Sequence, residues 1–126
     1  MESNFLNTEI LIIGAGPTGL LLANFLGKMG VKTLLVEKNL STVQEPRAVS
    51  IDDESMRALQ AVNLSTQLEN IMVSGYGSIY KGPKGDVFAS VKPFQKDYGF
   101  EKRNAFQQPE LEKILLKGLG KYPNVK

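Results

Sequence analysis

Three glycines in the segment GAGPTG, which begins at Gly14, form the most informative pattern in this chain of 126 residues. The first would permit a tight turn. The second, Gly16, would let a diphosphate approach the backbone without an intervening Cβ, and the third, Gly19, would let a helix pack closely on a strand. Free N–H groups and the positive end of that helix favour a bound anion. The predicted phosphate cradle comprises six residues: Gly14, Ala15, Gly16, Pro17, Thr18 and Gly19.

The elements on either side of these glycines are predicted to be a strand, a helix and a second strand. Residues 8–13 contain a continuous apolar run, which is typical of a short strand buried on both faces. Residues 20–29 are apolar around most of a helix, with Pro17 in the first turn and Gly30 at a left-handed end. Residues 31–36 are again rich in β-branched residues and leucine. This order predicts a βαβ unit with parallel strands.

An acidic residue, Glu37, ends the second strand about 20 positions after Gly16, as expected for a dinucleotide fingerprint. A carboxylate at this place can accept hydrogen bonds from both hydroxyls of a ribose and would repel a 2′-phosphate. The pattern therefore predicts an adenine dinucleotide of the FAD or NAD type rather than NADP. The alternative is a glycine turn that binds nothing, which the surrounding strand, helix and acid disfavour.

Beyond the second strand the chain is predicted to continue as a loop and then as short helices. Residues 38–50 lack periodicity and include a proline, which is typical of a loop. Asp52 can cap a helix over residues 53–62, and Asn63 suits its left-handed end. Residues 65–72 are predicted to form a further short helix. The acidic residues at the start of the first helix are better explained by its dipole than by a metal site.

The sequence changes character at Gly75. Residues 75–94 alternate around the turn segment GPKGD, which indicates a β-hairpin. Residues 104–107 are predicted to form a short strand and residues 109–119 a helix. Residues 123–125 stand where the next parallel strand should begin. The sheet is therefore predicted to be unfinished, with exposed edges.

The composition excludes several kinds of site. The chain has no Cys and no His, which removes disulfides, thiolate nucleophiles, imidazole bases and the metal sites built from those side chains. The 15 Lys and Arg against 13 Asp and Glu leave a net charge of +2, which is too weak to indicate nucleic acid or an anionic membrane as a partner. No apolar run approaches the roughly 20 residues of a membrane span. Because the polar start shows no secretion signal, a cytoplasmic location is expected.

Four longer segments carry a resemblance to a known family. The segments are GAGPTGLLLA, the pair EK at 37–38, PRAVSIDDESMRALQ from Pro46, and KRNAFQQPELEKIL from Lys102. They resemble the FAD-dependent aromatic-ring hydroxylases, a class of flavoprotein monooxygenases, and most closely the 3-(3-hydroxyphenyl)propionate hydroxylase branch. The resemblance runs over essentially the whole chain, and its segments occur in the family's order. It resolves the choice between FAD and NAD in favour of FAD.

The resemblance implies an α/β fold: a Rossmann-like FAD/NAD(P)-binding βαβ unit with an inserted β-hairpin, in an incomplete domain. Residues of about 1–70 and 102–126 would form the nucleotide-binding part. Residues of about 73–101 would form the hairpin, directed towards a substrate domain. The chain is therefore expected to be the N-terminal portion, residues 1–126, of a longer FAD-binding domain.

The resemblance also places individual residues around FAD. The glycine segment would hold the diphosphate, and Glu37 the adenosine ribose, with Lys38 beside the adenine end. Arg47 matches an arginine that lies along the cofactor, and Gln108 matches a residue that contacts the ribityl–diphosphate region. From the residues alone, Arg47 is better explained as a solvated charge, whereas Gln108 is equally well explained as a residue that satisfies a helix start. No catalytic side chain and no metal ligand is assigned.

The implied activity is hydroxylation of a phenolic aromatic acid, with NADH or NADPH as transient reductant of FAD. A chain of this length is expected to bind FAD weakly or not at all by itself and not to complete turnover. Its expected partners are FAD and the phenolic substrate, without nucleic acid or membrane, and its sheet edges would allow self-association. Two alternatives are a stand-alone dinucleotide-binding or interaction module without hydroxylase activity and an NAD-dependent dehydrogenase.

Overall fold

A computed structural model describes residues 7–126. Its elements follow in chain order: β1 (Ile10–Ile13), α1 (Pro17–Lys28), β2 (Thr33–Val36), β3 (Ser50–Ile51), α2 (Asp53–Ala61), α3 (Ser65–Glu69), β4 (Val73–Ser74), β5 (Ser78–Lys81), β6 (Val87–Val91), β7 (Asn104–Ala105) and α4 (Gln108–Leu119). These elements form two compact units. The first unit comprises the described part of Met1–Pro46 together with Gln108–Lys126, and the second comprises Arg47–Gln107. These two units are defined by how the chain packs. The division predicted from the sequence, into a nucleotide-binding part and a hairpin directed towards a substrate domain, is defined by function and stays a prediction.

The first unit is built on parallel strands. Strands β1 and β2 pair in parallel, with Ile10 opposite Thr33 and Ile13 opposite Val36. Val125 forms a further parallel bridge to Thr33. The Thr33 N–H donates to the Asn124 carbonyl at 2.9 Å, and the Lys126 N–H donates to the Thr33 carbonyl at 3.0 Å. The prediction that residues 123–125 begin the next parallel strand is therefore confirmed.

Helix α1 begins and ends where its sequence signals predict. Pro17 is its first residue, where a missing N–H costs nothing. At the other end Gly30 adopts a left-handed conformation with φ of +78°. Its N–H donates to the Gly27 carbonyl at 3.1 Å, and the Val31 N–H donates to the Leu26 carbonyl at 3.0 Å. This pair of hydrogen bonds is a Schellman motif, which satisfies carbonyls left open by the end of the helix.

The prediction that β1 is buried on both faces is wrong. Ile12 is 7% exposed and packs with Ala23 and Leu26 of α1, whereas Leu11 is 54% exposed and Ile13 82% exposed. Successive side chains of a strand point to opposite faces. The Ile12 face is covered by α1, and within residues 7–126 no element of this unit buries the other face. A continuous apolar run makes a strand suitable for burial on both faces. Actual burial also needs a packed element against each face, which the run itself does not provide.

Helices α1 and α4 pack against each other through a polar contact as well as apolar ones. The buried Asn24 side chain donates from Nδ2 to the Leu20 carbonyl of its own helix and to the Leu115 carbonyl of α4, both at 2.9 Å. Gly27 lies against the Tyr122 ring, and a Cβ added there would come within 2.6 Å of it. The close approach of this part of α1 to Tyr122 therefore requires glycine.

The second unit contains short helices and antiparallel strands. Asp52 caps α2, with its Oδ1 accepting from the Ser55 N–H at 2.8 Å, and Asn63 adopts the predicted left-handed conformation with φ of 60°. Strands β3 and β4 both pair antiparallel to β7. The predicted hairpin is formed by β5 and β6 around a turn in which Gly85 has φ of +82°.

Candidate dinucleotide-binding site

The glycine segment lies where the two parallel strands end. The Gly14 N–H donates to the Val36 carbonyl at 2.8 Å, which ties the start of the segment to the end of β2. The backbone of Gly14 has φ of +107°, a conformation that L side chains rarely adopt. The segment then enters α1 at Pro17. This arrangement places the N-terminus of a helix at the carboxyl edge of the sheet, where α/β proteins bind ligands.

Glycine is suited to each of the three glycine positions of the segment for a different physical reason. A Cβ on Gly19 would lie 2.0 Å from the Gly14 carbonyl oxygen and 3.4 Å from Ile12, so close packing of helix on strand excludes a side chain there. Gly14 is required by its conformation. Gly16 has an extended backbone with φ of −76°, and a Cβ on it would meet nothing within 4 Å. Because the described chain does not require glycine at Gly16, the open space beside it fits an approaching ligand.

The Glu37 carboxylate bonds directly to the glycine segment. Its Oε2 accepts from the Ala15 N–H at 2.8 Å, and its Oε1 accepts from the Asn39 N–H at 2.9 Å and from Asn39 Nδ2 at 2.8 Å. These hydrogen bonds, the Ala15 bond first, hold the pKa of Glu37 below its ordinary value of 4.5. The group is therefore an anion at neutral pH and is held within hydrogen-bond distance of the predicted cradle.

The hydrogen bonds of Glu37 leave limited capacity for a ligand. An ionised carboxylate has about four lone-pair sites, two on each oxygen. Two of them on Oε1 are taken by Asn39, and one on Oε2 is taken by Ala15. The Lys38 N–H also acts on this carboxylate. A ribose hydroxyl therefore meets competing protein donors at Glu37, and the Asn39 side chain is the competitor at Oε1.

An open groove of about 470 Å³ lies beside this carboxylate. It is lined by the ends of both strands and by the residues that follow them: Ile13, Gly14, Val36, Glu37 and Lys38. Ile13 and Val36 contribute apolar walls, while Glu37 and Lys38 contribute opposite charges. An apolar groove with a few polar groups is the usual form of a small-molecule site.

The remaining predicted site residues lie elsewhere along the chain. Gln108 is the first residue of α4, is 7% exposed, and donates from Nε2 to Glu112 Oε1 at 2.8 Å. Arg47 belongs to the second unit. The cofactor roles of both residues stay predictions. Sequence reasoning missed Glu112, although its spacing of four residues from Gln108 puts both on one helix face.

Residues 7–126 contain neither a cluster of metal-ligating side chains nor a membrane-spanning helix. No group of three or more Asp, Glu, His or Cys among residues 7–126 is arranged to hold a metal ion. The acidic residues at the start of α2 act on the helix instead, since Asp52 is its cap. Among the same residues, no helix has both the length and the apolar character needed to cross a membrane.

A family model described as an FAD binding domain matches residues 7–125. The chain belongs to this family of FAD binding domains. The match covers the glycine segment, Glu37 and α4 together. The family identity confirms the predicted cofactor class, which the glycine spacing by itself left open between FAD and NAD.

The relatives most useful for comparison are hydroxylases of one name. The chain is 41% identical over 118 residues to a 3-(3-hydroxy-phenyl)propionate/3-hydroxycinnamic acid hydroxylase of Klebsiella pneumoniae subsp. pneumoniae, covering 94% of this chain and 21% of that protein. It is 40% identical over 123 residues to the enzyme of the same name from Escherichia coli O139:H28, covering 95% and 22%. The chain thus spans about a fifth of the length of the curated relatives it matches.

Solved structures match the fold as a whole. The p-nitrophenol 4-monooxygenase of Pseudomonas putida DLL-E4 superposes with a TM-score of 0.83 at 26% identity, covering 92% of this chain and 30% of that one. The flavin-dependent monooxygenase PieE, solved with FAD and substrate, superposes with a TM-score of 0.78 at 20% identity, covering 94% and 23%. The α/β, Rossmann-like fold class is therefore confirmed, as is the resemblance to flavin monooxygenases. The alternative of a stand-alone module is not favoured.

Proposed function

We propose that this chain holds the ADP half of FAD in an FAD-dependent monooxygenase that hydroxylates a phenolic aromatic acid. The observation that carries the proposal is the combination at one sheet edge of an unfilled space at Gly16, the start of α1 and the Glu37 carboxylate. Family membership supports FAD as the dinucleotide.

The cradle fits a diphosphate by shape and by charge. The first turn of α1 has N–H groups without carbonyl partners in the helix, and it carries no acidic side chain that would repel an anion. Gly16 offers backbone without a Cβ at the point of approach. The diphosphate would therefore accept hydrogen bonds from the N–H groups of Gly16, Thr18 and Gly19 and lie at the positive end of the helix.

Glu37 and Lys38 would hold the adenosine. Glu37 Oε2, which accepts from the Ala15 N–H, would also accept from a ribose hydroxyl, and the negative charge would disfavour a 2′-phosphate. Lys38 lines the same groove and would lie beside the adenine. Glu37 thus selects FAD over a 2′-phosphorylated dinucleotide at this position, independently of whether NADH or NADPH is the transient reductant.

FAD, when bound and reduced by NADH or NADPH, supplies the oxygen-transfer chemistry. In the proposal this chain contributes no catalytic side chain; it binds and orients the cofactor, and Arg47 and Gln108 contribute further contacts to it. The curated relatives, named for hydroxylation of 3-(3-hydroxyphenyl)propionate and 3-hydroxycinnamic acid, support a phenolic acid as substrate. A cytoplasmic location without nucleic-acid or membrane partners is part of the proposal, as is self-association through the sheet edges.

Competition between nucleotides tests the proposed function. FAD, ADP, AMP and adenosine 2′,5′-bisphosphate would be titrated into the chain and binding followed by calorimetry or by amide chemical shifts. We expect FAD and ADP to compete for one site with weak affinity. The bisphosphate should bind at least about tenfold more weakly than AMP, because its 2′-phosphate meets Glu37. Equal binding of AMP and the bisphosphate, or binding of FAD that ADP does not displace, would contradict the proposal.

A further inference from the structure

A second carboxylate of the first unit is buried and bonded on both oxygens. Glu112, in the first half of α4, is 2% exposed. Its Oε1 accepts from Gln108 Nε2 at 2.8 Å, and its Oε2 accepts from the backbone N–H of Val43 at 3.0 Å. Glu112 therefore joins the first turn of α4 to a loop that is 69 residues away in sequence.

Burial makes these two hydrogen bonds important. A carboxylate taken out of water is costly unless it is paired or fully hydrogen-bonded. None of the ion pairs found within residues 7–126 includes Glu112. Each of its two oxygens instead accepts from one N–H donor, on Gln108 and on Val43. The side chain is consequently held in one place by partners on both sides.

The chemistry of the donors fixes the orientation of Gln108. A carboxylate oxygen accepts only, so the amide must present its NH₂ group to Glu112, and its Oε1 must point to the opposite side. The backbone N–H of Val43 can only donate, so the second oxygen of Glu112 is committed as well. The two hydrogen bonds converge on Glu112, which accepts from Gln108 on one side and from Val43 on the other, and we call these three groups the Glu112 relay.

We propose that Glu112 is a positioning residue for FAD: through the relay it fixes which face of the Gln108 amide is presented to the cofactor and anchors at Val43 the loop that follows Lys38. This inference rests on the proposed function, because one end of the relay is Gln108 itself and the other, Val43, lies in the loop between Lys38 and Arg47, and the sequence assigns cofactor contacts to all three of these site residues. It goes beyond that function because none of the predicted site residues is Glu112 itself.

An isosteric variant tests the orientation directly. In Glu112→Gln the new amide has one accepting and one donating group. The oxygen of the new side chain must face the Val43 N–H, because that group can only donate. Its NH₂ group then faces Gln108, and the Gln108 amide must turn over to present its oxygen as acceptor. The fold is retained while Gln108 presents NH₂ where it had presented oxygen. Glu110→Gln is the matched control, because Glu110 lies on the same helix and its side chain forms an exposed ion pair with Lys113.

Two measurements are needed: NMR spectra of the Gln108 side-chain amide and the Val43 N–H, and the dissociation constant for FAD. We expect Glu112→Gln to shift both sets of resonances and to weaken FAD binding about fivefold or more, while Glu110→Gln changes neither. Gln108→Ala should weaken FAD binding by a similar factor. Because Glu112 acts through Gln108, Glu112→Gln should add less than about twofold in the Gln108→Ala background, as a coupled pair requires.

Each other outcome decides against the inference. If Glu112→Gln leaves FAD affinity unchanged, or if the two losses multiply in the double variant, Glu112 is structural only. If the Gln108 side-chain resonances do not move, the relay does not set the amide orientation. If the unmodified chain shows not even weak binding up to millimolar FAD, the proposed function fails together with the cofactor half of the inference, while the amide spectra still decide whether Glu112 orients Gln108.

Discussion

Two glutamates of the first unit hold loops by the same chemistry in opposite surroundings. Glu37 lies exposed at the carboxyl edge of the sheet and accepts from the Ala15 and Asn39 N–H groups. Glu112 lies buried beside α4 and accepts from the Val43 N–H and the Gln108 side chain. Each carboxylate thus anchors a loop to the rest of the first unit; Glu37 does so exposed to solvent and Glu112 does so buried.

The difference shows how exposure separates a binding group from a positioning group. An exposed carboxylate loses little when it exchanges a protein donor for a ligand hydroxyl, since water or the ligand can replace each hydrogen bond. A buried carboxylate cannot exchange partners without leaving a charge or a donor unsatisfied. Glu37 is therefore suited to contact the ribose, and Glu112 to keep its neighbours in place.

Removal of the buried carboxylate should have the largest effect on stability. Glu112→Ala deletes two buried hydrogen bonds and leaves the Gln108 amide buried, so we expect a loss of about 3 kcal/mol in the free energy of unfolding, at about 1.5 kcal/mol per bond. Urea denaturation of the chain measures it. The control, Glu110→Ala, breaks an exposed ion pair and should cost less than about 0.5 kcal/mol. Equal losses in the two variants would remove the distinction between buried and exposed carboxylates.

The glycine segment beside Glu37 offers a second contrast, between neighbouring positions. Gly19→Ala places a Cβ 2.0 Å from the Gly14 carbonyl oxygen, and this overpacking should cost about 2 kcal/mol of unfolding free energy. Gly16→Ala meets nothing within 4 Å and should leave stability within about 0.5 kcal/mol. The same Cβ should weaken FAD binding about tenfold, or about 1.4 kcal/mol. If Gly16→Ala left FAD affinity unchanged, the open space beside Gly16 would not be the diphosphate position.

Acidification should distinguish Glu37 from its neutral variant. The folded-state pKa of Glu37 is lowered, so its contribution to stability is present above the ordinary value of 4.5 and is lost as the pH falls through the lowered pKa. The stability difference between the chain and Glu37→Gln should be constant well above pH 4.5 and shrink below it, as followed by urea denaturation at several pH values. A difference that grew on acidification would mean that the Ala15 hydrogen bond does not stabilise the ionised form.

Asn39 provides the smallest and most specific test. Its side chain occupies a lone pair of Glu37 Oε1 that a second ribose hydroxyl would need. Asn39→Ala should therefore tighten FAD binding about twofold, since the competing donor is removed at the cost of one exposed hydrogen bond. Tighter FAD binding that persisted in a Glu37→Gln background would show that Asn39 acts by some other route.

Local signals allowed much of the fold to be predicted. The proline at the start of α1, the cap at Asp52 and the left-handed residues Gly30 and Asn63 each act within a few residues of themselves, so the sequence carries them. The parallel pairing of Val125 with Thr33 also follows from the βαβ pattern. The exposed face of β1 could not be predicted, because the burial of a strand depends on layers that other parts of a chain supply.

The candidate site could be predicted only in part for the same reason. The spacing of the glycines and Glu37 is local to one βαβ unit. In the structure the Ala15 N–H donates to Glu37 Oε2 at 2.8 Å. The contact of Glu112 with Val43 spans 69 residues and leaves no local pattern. A signal was present nevertheless: Gln108 and Glu112 share the helical stripe of the buried Leu111 and Leu115. Polar residues on such a stripe point to a buried hydrogen-bonded group.

The most direct test of the central claim is a map of FAD binding on the amide resonances of this chain. Titration with FAD should shift the N–H resonances from Ala15 to Gly19, except the proline, together with those of Glu37 and Lys38, with one common dissociation constant. Gly16→Ala should reduce these shifts at equal FAD concentration. Resonances of the glycine segment that stay unmoved up to millimolar FAD, or shifts confined to the β5–β6 hairpin, would contradict the claim that this segment holds the cofactor.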